Sequence, residues 1–493
     1  MAPYLHGVYG VAESSSYEAV KSLTTLPVYI GSLPIQRVNK TGAGGFDYTP
    51  YINKPILISS YRDVKELGIY SEDWDAYTLG EAIRVHFMNS DNIVAPIVFI
   101  NTLDPSLHLK AEAVTETVNL KKEGTSYVGV INDPLCSLDD MAITADGVEF
   151  AEGELSYAYD GDAVKISIKK DGFTATSVTA SYKQIEFSAK TFTVTEFKKA
   201  VDAVDYVEQI AGLVPTILCA PAFSKIPALH DLMVQKVIDR AAEKWNMVCL
   251  SDIPASAEVN TYEKAIEWKN TNQYGSKYDK PCWPRGSNGG YMFHLSTITA
   301  FTMQLTDIEN DGIPYVSPSN KVIDIDKIVL DDGTVLYIKE SEANKLNEVG
   351  ITTVNFIKQT MRLWGSHMAN YNHANVESIL PEDRFDVTVR MAGFILNHLQ
   401  YNYIDEIDES FTPKDIDSLV NSIQTWFDSL VEAGALLYAT ITFDGDANPT
   451  DNLANGDILF DINVTYPVIA KSLTFRLQWT KAGLSLLTEG SEA

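Results

Sequence analysis

Three stretches, NIVAPIVFIN (92–101), VPTILCA (214–220) and NMVCLSD (246–252), are nearly continuous apolar runs of strand length. Each is preceded by a segment of helical period: LGEAIRVHFM, TEFKKAVDAVDYVEQI and ALHDLMVQKVIDRAAEKW, and a fourth such segment, AEVNTYEKAIEWK, follows the last strand. Strands apolar on both sides, alternating with amphipathic helices, predict a parallel sheet covered on both faces. LPVYIGSLP (26–34), bounded by prolines, and PILISSY (55–61) read as two further strands.

The rhythm breaks between residues 111 and 194. There the helical period vanishes, and Asp146-Gly147, Asp160-Gly161 and Asp171-Gly172 stand near β-prone runs such as AVKISIKK. Asp-Gly between alternating runs is a strong hairpin signal. The expectation is an all-β module inserted into the α/β domain, which needs only closely spaced ends on a surface loop.

At 493 residues the chain is too long for one core, and at ~150 residues per domain it suggests about three units. The expected fold class is multidomain, α/β plus α+β. An N-terminal linker arm (1–20) leads into a discontinuous α/β middle domain (21–110 and 195–350) interrupted by the β insertion (111–194). A C-terminal α+β domain (351–480) and a short tail (481–493) complete it. KIVLDDGTVLYIK reads as a hairpin turning at Asp332-Gly333, and VNFIKQTMR as a helix.

The best-signed helix lies in the last unit. Thr412 is its N-cap, Pro413 takes the first helical position, Asp415 lies in the first turn and Gly434 ends it. Its apolar stripe is Ile416, Leu419, Val420, Ile423, Trp426, Phe427 and Leu430. Two period-2 strands follow. DILFDINVTY (457–466) puts Ile458, Phe460, Ile462 and Val464 on one face, and SLTFRLQW (472–479) does the same with Leu473, Phe475, Leu477 and Trp479. Terminal segments fray unless tied down, so the second strand needs a sheet to receive it.

Lys and Arg number 38 against 66 Asp and Glu, a formal charge of −28. Such a surface repels phosphate backbones, so no direct nucleic-acid partner is expected. Cys136, Cys219, Cys249 and Cys282 show no metal spacing and suit a reducing compartment. MAPYLHGVYG has neither a charged n-region nor a long apolar core, and no run of ~18 apolar residues occurs, so neither secretion nor stable membrane insertion is expected.

Candidate chemistry is thin. Ligands of α/β sheets bind beyond the carboxyl ends of the strands, where Cys219, Ser251 and Asp252 fall, with His230 in the following helix. A hydrolase-type enzyme using Cys219 and His230 is the alternative reading, against buried-strand packing for Cys219. The glycines at 42, 44 and 45 are followed by no Lys-Ser/Thr, which excludes a phosphate loop. DIENDG (307–312) starts like a calcium loop but has Pro318 at the twelfth position. DGDANPTDN (444–452) reads as an acidic turn, His367 and His373 as surface or interface residues, and His86 as a satisfied packing residue. No catalytic, metal or cofactor site is assigned.

Several stretches together resemble the tail sheath proteins of contractile phages and related contractile bacteriocins, in family order. HGVYGVAE (6–13) is similar to the family's Pro-Gly-Val-Tyr-x-x-Glu, with His6 in place of proline. YVSPSNKVIDIDKIVL followed by EANKLNEVGITTVNF is the second stretch. RLWGSHMAN (362–370) resembles Trp-Gly-Ser-Arg-Thr, with His367 and Met368 in the last two places. NGDILFDINVTYPVIAKSLTFRLQW (455–479) resembles the closing two-strand segment. The resemblance spans the N-terminal arm and roughly residues 200–480.

It implies a structural protein with no cofactor, assembled in the bacterial cytoplasm and released by lysis within a phage tail or bacteriocin particle. Subunits would form stacked hexameric rings around an inner tail tube protein, bounded by baseplate and terminator or collar proteins. Arms at both ends would add strands to neighbours, and the sheath would contract to drive the tube through a target envelope. On this reading Gly7, Val8, Tyr9 and Val11, Ile458, Phe460, Ile462 and Val464, and Leu473, Phe475, Leu477 and Trp479 serve strand exchange. Asp405, Glu406, Asp408, Glu409 and Asp415 are candidates for the tube-facing surface. Either final strand can serve its own sheet or a neighbour's.

Overall fold

The computed structural model describes residues 24–38, 47–89, 92–188 and 192–484. The expected arm at 1–20, with Gly7, Val8, Tyr9 and Val11, lies outside the described residues. The chain has a mixed α/β multidomain fold and divides into two compact units, Met1–Ser410 and Phe411–Ala493.

The larger unit is organised by a six-stranded sheet in the order Asp279–Cys282, Val248–Asp252, Ile217–Cys219, Pro27–Gly31, Ile97–Asn101, Pro55–Ile58. All neighbours are parallel except the last pair, where Pro55–Ile58 runs antiparallel to Ile97–Asn101. Every residue of Pro27–Gly31, Ile97–Asn101, Ile217–Cys219 and Val248–Asp252 is buried, which is why these runs lack alternation. Helices Val194–Asp202 and Pro227–Glu243 bring Phe197, Ala200, Val201, Leu229, Met233 and Val237 into the same core. So does Leu295–Ile308, through Ala300 and Met303. That helix carries no amphipathic stripe to read, because Ser, Thr and Gln are buried along it beside the apolar residues.

Between residues 114 and 182 lie two four-stranded sheets. Val118, Ile143 and Val178 of one and Ile131, Val164 and Ile166 of the other share a separate core. Asp146 (φ 49°) and Gly147 (φ 78°) turn a two-residue hairpin, as the dipeptide predicts. Gly161 lies in the turn of the next hairpin, between Leu155–Asp160 and Ala163–Ile168. Asp171-Gly172 does not, since the strands flanking it, Ala163–Ile168 and Ser177–Tyr182, belong to different sheets.

Residues 354–362 correct the sequence reading. In place of a helix, Thr353–Ile357 and Thr360–Trp364 form an antiparallel hairpin with Lys358 (φ 49°) and Gln359 (φ 64°) at the turn. The segment is rich in β-branched residues, and cross-strand partners Val354 and Leu363 are both buried in one core. The division at 410/411 also falls well beyond the expected boundary at 351. Residues 351–410 are built into the larger unit, with Met368 and Val389 in the core of its main sheet.

A buried ion pair fastens that extension. Lys280, on the edge strand Asp279–Cys282, and Asp386, at the start of helix Asp386–Asn402, are both wholly buried and 2.9 Å apart. Lys280 Nζ also donates to the carbonyls of Gly365 (2.9 Å) and His367 (3.2 Å). RLWGSHMAN therefore runs alongside this edge strand, and Ala369 N donates to Asp279 O at 2.8 Å. Gly365 (φ 141°) adopts a conformation that favours glycine, and a Cβ there would sit 3.0 Å from Thr352 Cα. His367 is not a surface residue. It is buried, stacked on Tyr371 with centroids 3.4 Å apart, and donates through Nδ1 to Arg384 O.

Candidate assembly interface

The smaller unit begins with helix Pro413–Glu432, closed at its start by a capping box. Thr412 N and Oγ1 donate to Asp415 Oδ2 at 2.8 and 2.6 Å, and these bonds hold the Asp415 carboxyl below the usual range. Asp415 is thus engaged in a helix cap. Asp405, Glu406, Asp408 and Glu409 are exposed and belong to the larger unit.

Ile423, Phe427 and Leu430 are the buried residues of the helical stripe. The helix packs on strand Tyr438–Thr442, which pairs antiparallel with Asp461–Thr465 in a two-stranded sheet. Ala439 and Ile441 are buried, opposite Val464 and Ile462 respectively. Between the strands, Asn448 Nδ2 donates to the carbonyls of Asp444 (2.8 Å) and Leu459 (2.9 Å), while Leu459 N donates to Asn448 Oδ1. The acidic run at 444–452 is accordingly a latched turn, and Phe460 packs against Phe443. Ile458, Phe460, Ile462 and Val464 are all half-buried while Leu459, Asp461, Asn463 and Thr465 are exposed, the alternation the pattern predicts.

The last strand behaves differently. Ser472–Trp479 pairs with no other segment among the described residues. Its apolar set stands in solvent: Leu473 is 75% exposed, Phe475 89%, Leu477 99% and Trp479 75%. The expected half-buried strand is absent from the described residues, because a strand requires a partner backbone and this segment pairs with none. Isolated exposed apolar residues are ordinary, but four large ones in eight residues at period 2 form a concentrated apolar face.

The hydrolase candidates are not brought together. Cys219 Sγ lies 3.5 Å from Ser296 Oγ, which donates to Asp252 Oδ2 at 2.5 Å. Burial, and then the nearby Asp252 charge, push the Cys219 thiol well above its ordinary pKa, the reverse of an activated nucleophile. His230 Nε2 instead donates to Asp279 Oδ2 at 3.0 Å, and Ser251 Oγ donates to the same oxygen at 2.9 Å. Among the described residues no hydrogen bond joins Cys219 to His230. Asp307, where a calcium loop would begin, is buried and taken up by Arg390 and by Thr25 Oγ1. No helix among the described residues is long and apolar enough to cross a membrane.

Known proteins are similar to this chain over nearly its whole length. It is 24% identical over 506 residues to the tail sheath protein of Burkholderia phage BcepMu, covering 99% of this chain and 100% of that one. The chain is similar in sequence to phage tail sheath proteins. The major tail sheath protein of Serratia phage KSP20 is 23% identical over 261 residues, 52% of this chain and 61% of its own. No family model matches. Among solved structures, a chain of the anti-feeding prophage baseplate superposes with a TM-score of 0.56 at 13% identity, covering 97% of this chain and 100% of that chain. The sheath complex of an extracellular contractile injection system in its contracted state gives 0.55 at 11%, covering 98% and 99%. These two likenesses are of fold.

Proposed function

We propose that this chain is the structural subunit of a contractile tail sheath. It polymerises as stacked hexameric rings around an inner tube, joined by strand exchange through its terminal arms. The sheath then shortens to drive the tube through a target cell envelope. The observation that carries the reading is the exposed, period-2 apolar segment Ser472–Trp479 in a chain similar throughout to a phage tail sheath protein. Four large apolar side chains contribute ~6–12 kcal/mol on full burial, while ordering eight residues costs ~8–16 kcal/mol of backbone entropy. One joint alone is marginal. Hydrogen bonding to a preformed edge narrows the gap, and repetition through a lattice makes the assembly strong.

The partners of this reading are other sheath subunits, the inner tube protein, and baseplate and terminator or collar proteins. The exposed carboxylates Asp405, Glu406, Asp408 and Glu409 remain its candidates for the tube-facing surface. Negative-stain microscopy of the purified chain tests the class: hollow striated cylinders are expected. Removal of residues 471–493 abolishes them and leaves a folded monomer. Cylinders that persist without those residues overturn the role of the arm.

A further inference from the structure

The two edges of the C-terminal sheet are unlike. In an antiparallel pair, alternate residues direct N–H and C=O toward the partner strand or away from it. Ile441 N donates to Gln424 Oε1 at 3.2 Å, and Gln424 Nε2 donates to Ala439 O at 3.1 Å. Ala439 and Ile441 therefore point away from Asp461–Thr465. A side-chain amide from helix Pro413–Glu432 occupies the two positions that the backbone of a third strand would take. A bond from Gln424 Nε2 to Asp428 Oδ1, at 2.8 Å, steadies that amide.

The register puts Ile441 opposite Ile462 and Ala439 opposite Val464. Ile462 and Val464 consequently direct their backbone groups outward along the other edge. Among the described residues no hydrogen bond reaches those groups. This edge is an open template for strand addition.

We propose that Gln424 is an edge guard: it closes the Tyr438–Thr442 side and directs an incoming strand to the Asp461–Thr465 side. The occupant is Ser472–Trp479 of a second copy of this chain. That segment has no strand partner of its own, and its exposed apolar residues alternate as an added strand requires. Charge favours the match. Asp444, Asp446, Asp451 and Asp457, in the segment that leads into the open strand, and Asp461, its first residue, are exposed, whereas residues 471–481 carry Lys471, Arg476 and Lys481 and no acidic residue. The proposal rests on the strand-exchange reading above and adds to it the edge that is used and the residue that selects it.

Disulfide trapping tests both separately. The native cysteines Cys136, Cys219, Cys249 and Cys282 are buried, so engineered thiols report cleanly. Chains carrying Thr474→Cys or Gln478→Cys are mixed with chains carrying Asn463→Cys or Thr442→Cys, and covalent dimers are scored on non-reducing gels. Neighbouring strands lie ~4.8 Å apart, within disulfide reach, while a strand one further away lies at about twice that and beyond it. Dimers are expected with Asn463→Cys and not with Thr442→Cys. Adding Gln424→Met opens the second edge, and Thr442→Cys then cross-links as well. Dimers through Thr442→Cys with Gln424 intact overturn the edge assignment and leave strand exchange standing. Dimers at neither edge sink both. Failure of Gln424→Met to open the Thr442 side removes Gln424 from the guard role.

Discussion

Leu477→Ala separates a donated strand from an internal one. Leu477 is 99% exposed in the chain on its own, so truncating it removes almost no intramolecular packing. Surface changes of that kind alter folding stability by about 0.5 kcal/mol or less. In the proposed assembly the same side chain becomes buried, and its loss is expected to cost ~1.5–3 kcal/mol at each joint. At ~1.4 kcal/mol per factor of ten, the critical concentration for polymerisation rises about ten- to 150-fold. The assay is sedimentation across a concentration series, paired with thermal melting of the dilute chain. The expected pattern is a large rise in critical concentration with an unchanged melting temperature. Phe427→Ala is the contrasting control: Phe427 is fully buried under its own sheet, so this change destabilises the unassembled chain by ~3–5 kcal/mol. If Leu477→Ala lowers the monomer melting temperature by several degrees, or leaves the critical concentration unmoved, the arm belongs to its own subunit and the reasoning fails.

Lys280→Met strands the wholly buried Asp386 carboxylate and is expected to cost ~3–5 kcal/mol in denaturant titrations, most of it recovered by adding Asp386→Leu. His86 is fully buried, donating through Nδ1 to Val94 O and accepting from Tyr29 OH, and burial pulls its pKa down to about 4. The unfolded chain binds that proton at ~6.5, so this contribution is complete above pH ~6.5 and is lost as pH falls toward about 4, by ~3 kcal/mol. His86→Gln should flatten that part of the acid limb in unfolding titrations. Cys219→Ala should leave both polymerisation and cylinder morphology unchanged in microscopy, and its loss of assembly would return the Cys219 site to consideration.

Much of the framework was legible because burial writes itself into composition. Strands enclosed on both faces must be apolar throughout, and NIVAPIVFIN, VPTILCA and NMVCLSD announced the parallel sheet. Thr412, Pro413 and Asp415 announced a helix start because orphan N–H groups accept few residue types as partners. Local signals failed where long-range contacts decided. Asp171-Gly172 has the dipeptide of a hairpin, but the strands around it leave for different sheets. Val354–Arg362 turns at Lys358-Gln359, a pair with no turn signature, and is held as a hairpin by the burial of Val354 and Leu363. His367 looked like a loop histidine until Tyr371 and Arg384 closed over it.

The sequence by itself determined the apolar strands of the main sheet, the start of helix Pro413–Glu432, the alternation of the final two segments and the apolar character of SLTFRLQW, since these follow from period and composition within a few residues. Only the tertiary structure decided which strand finds a partner at home. Asp461–Thr465 is paired and Ser472–Trp479 is not, although both alternate equally well. Strand pairing is a property of two backbones, and a period read along one chain carries no record of the other. The same holds for Gln424, an unremarked polar residue in a helix until the fold sets its amide against Ala439 and Ile441.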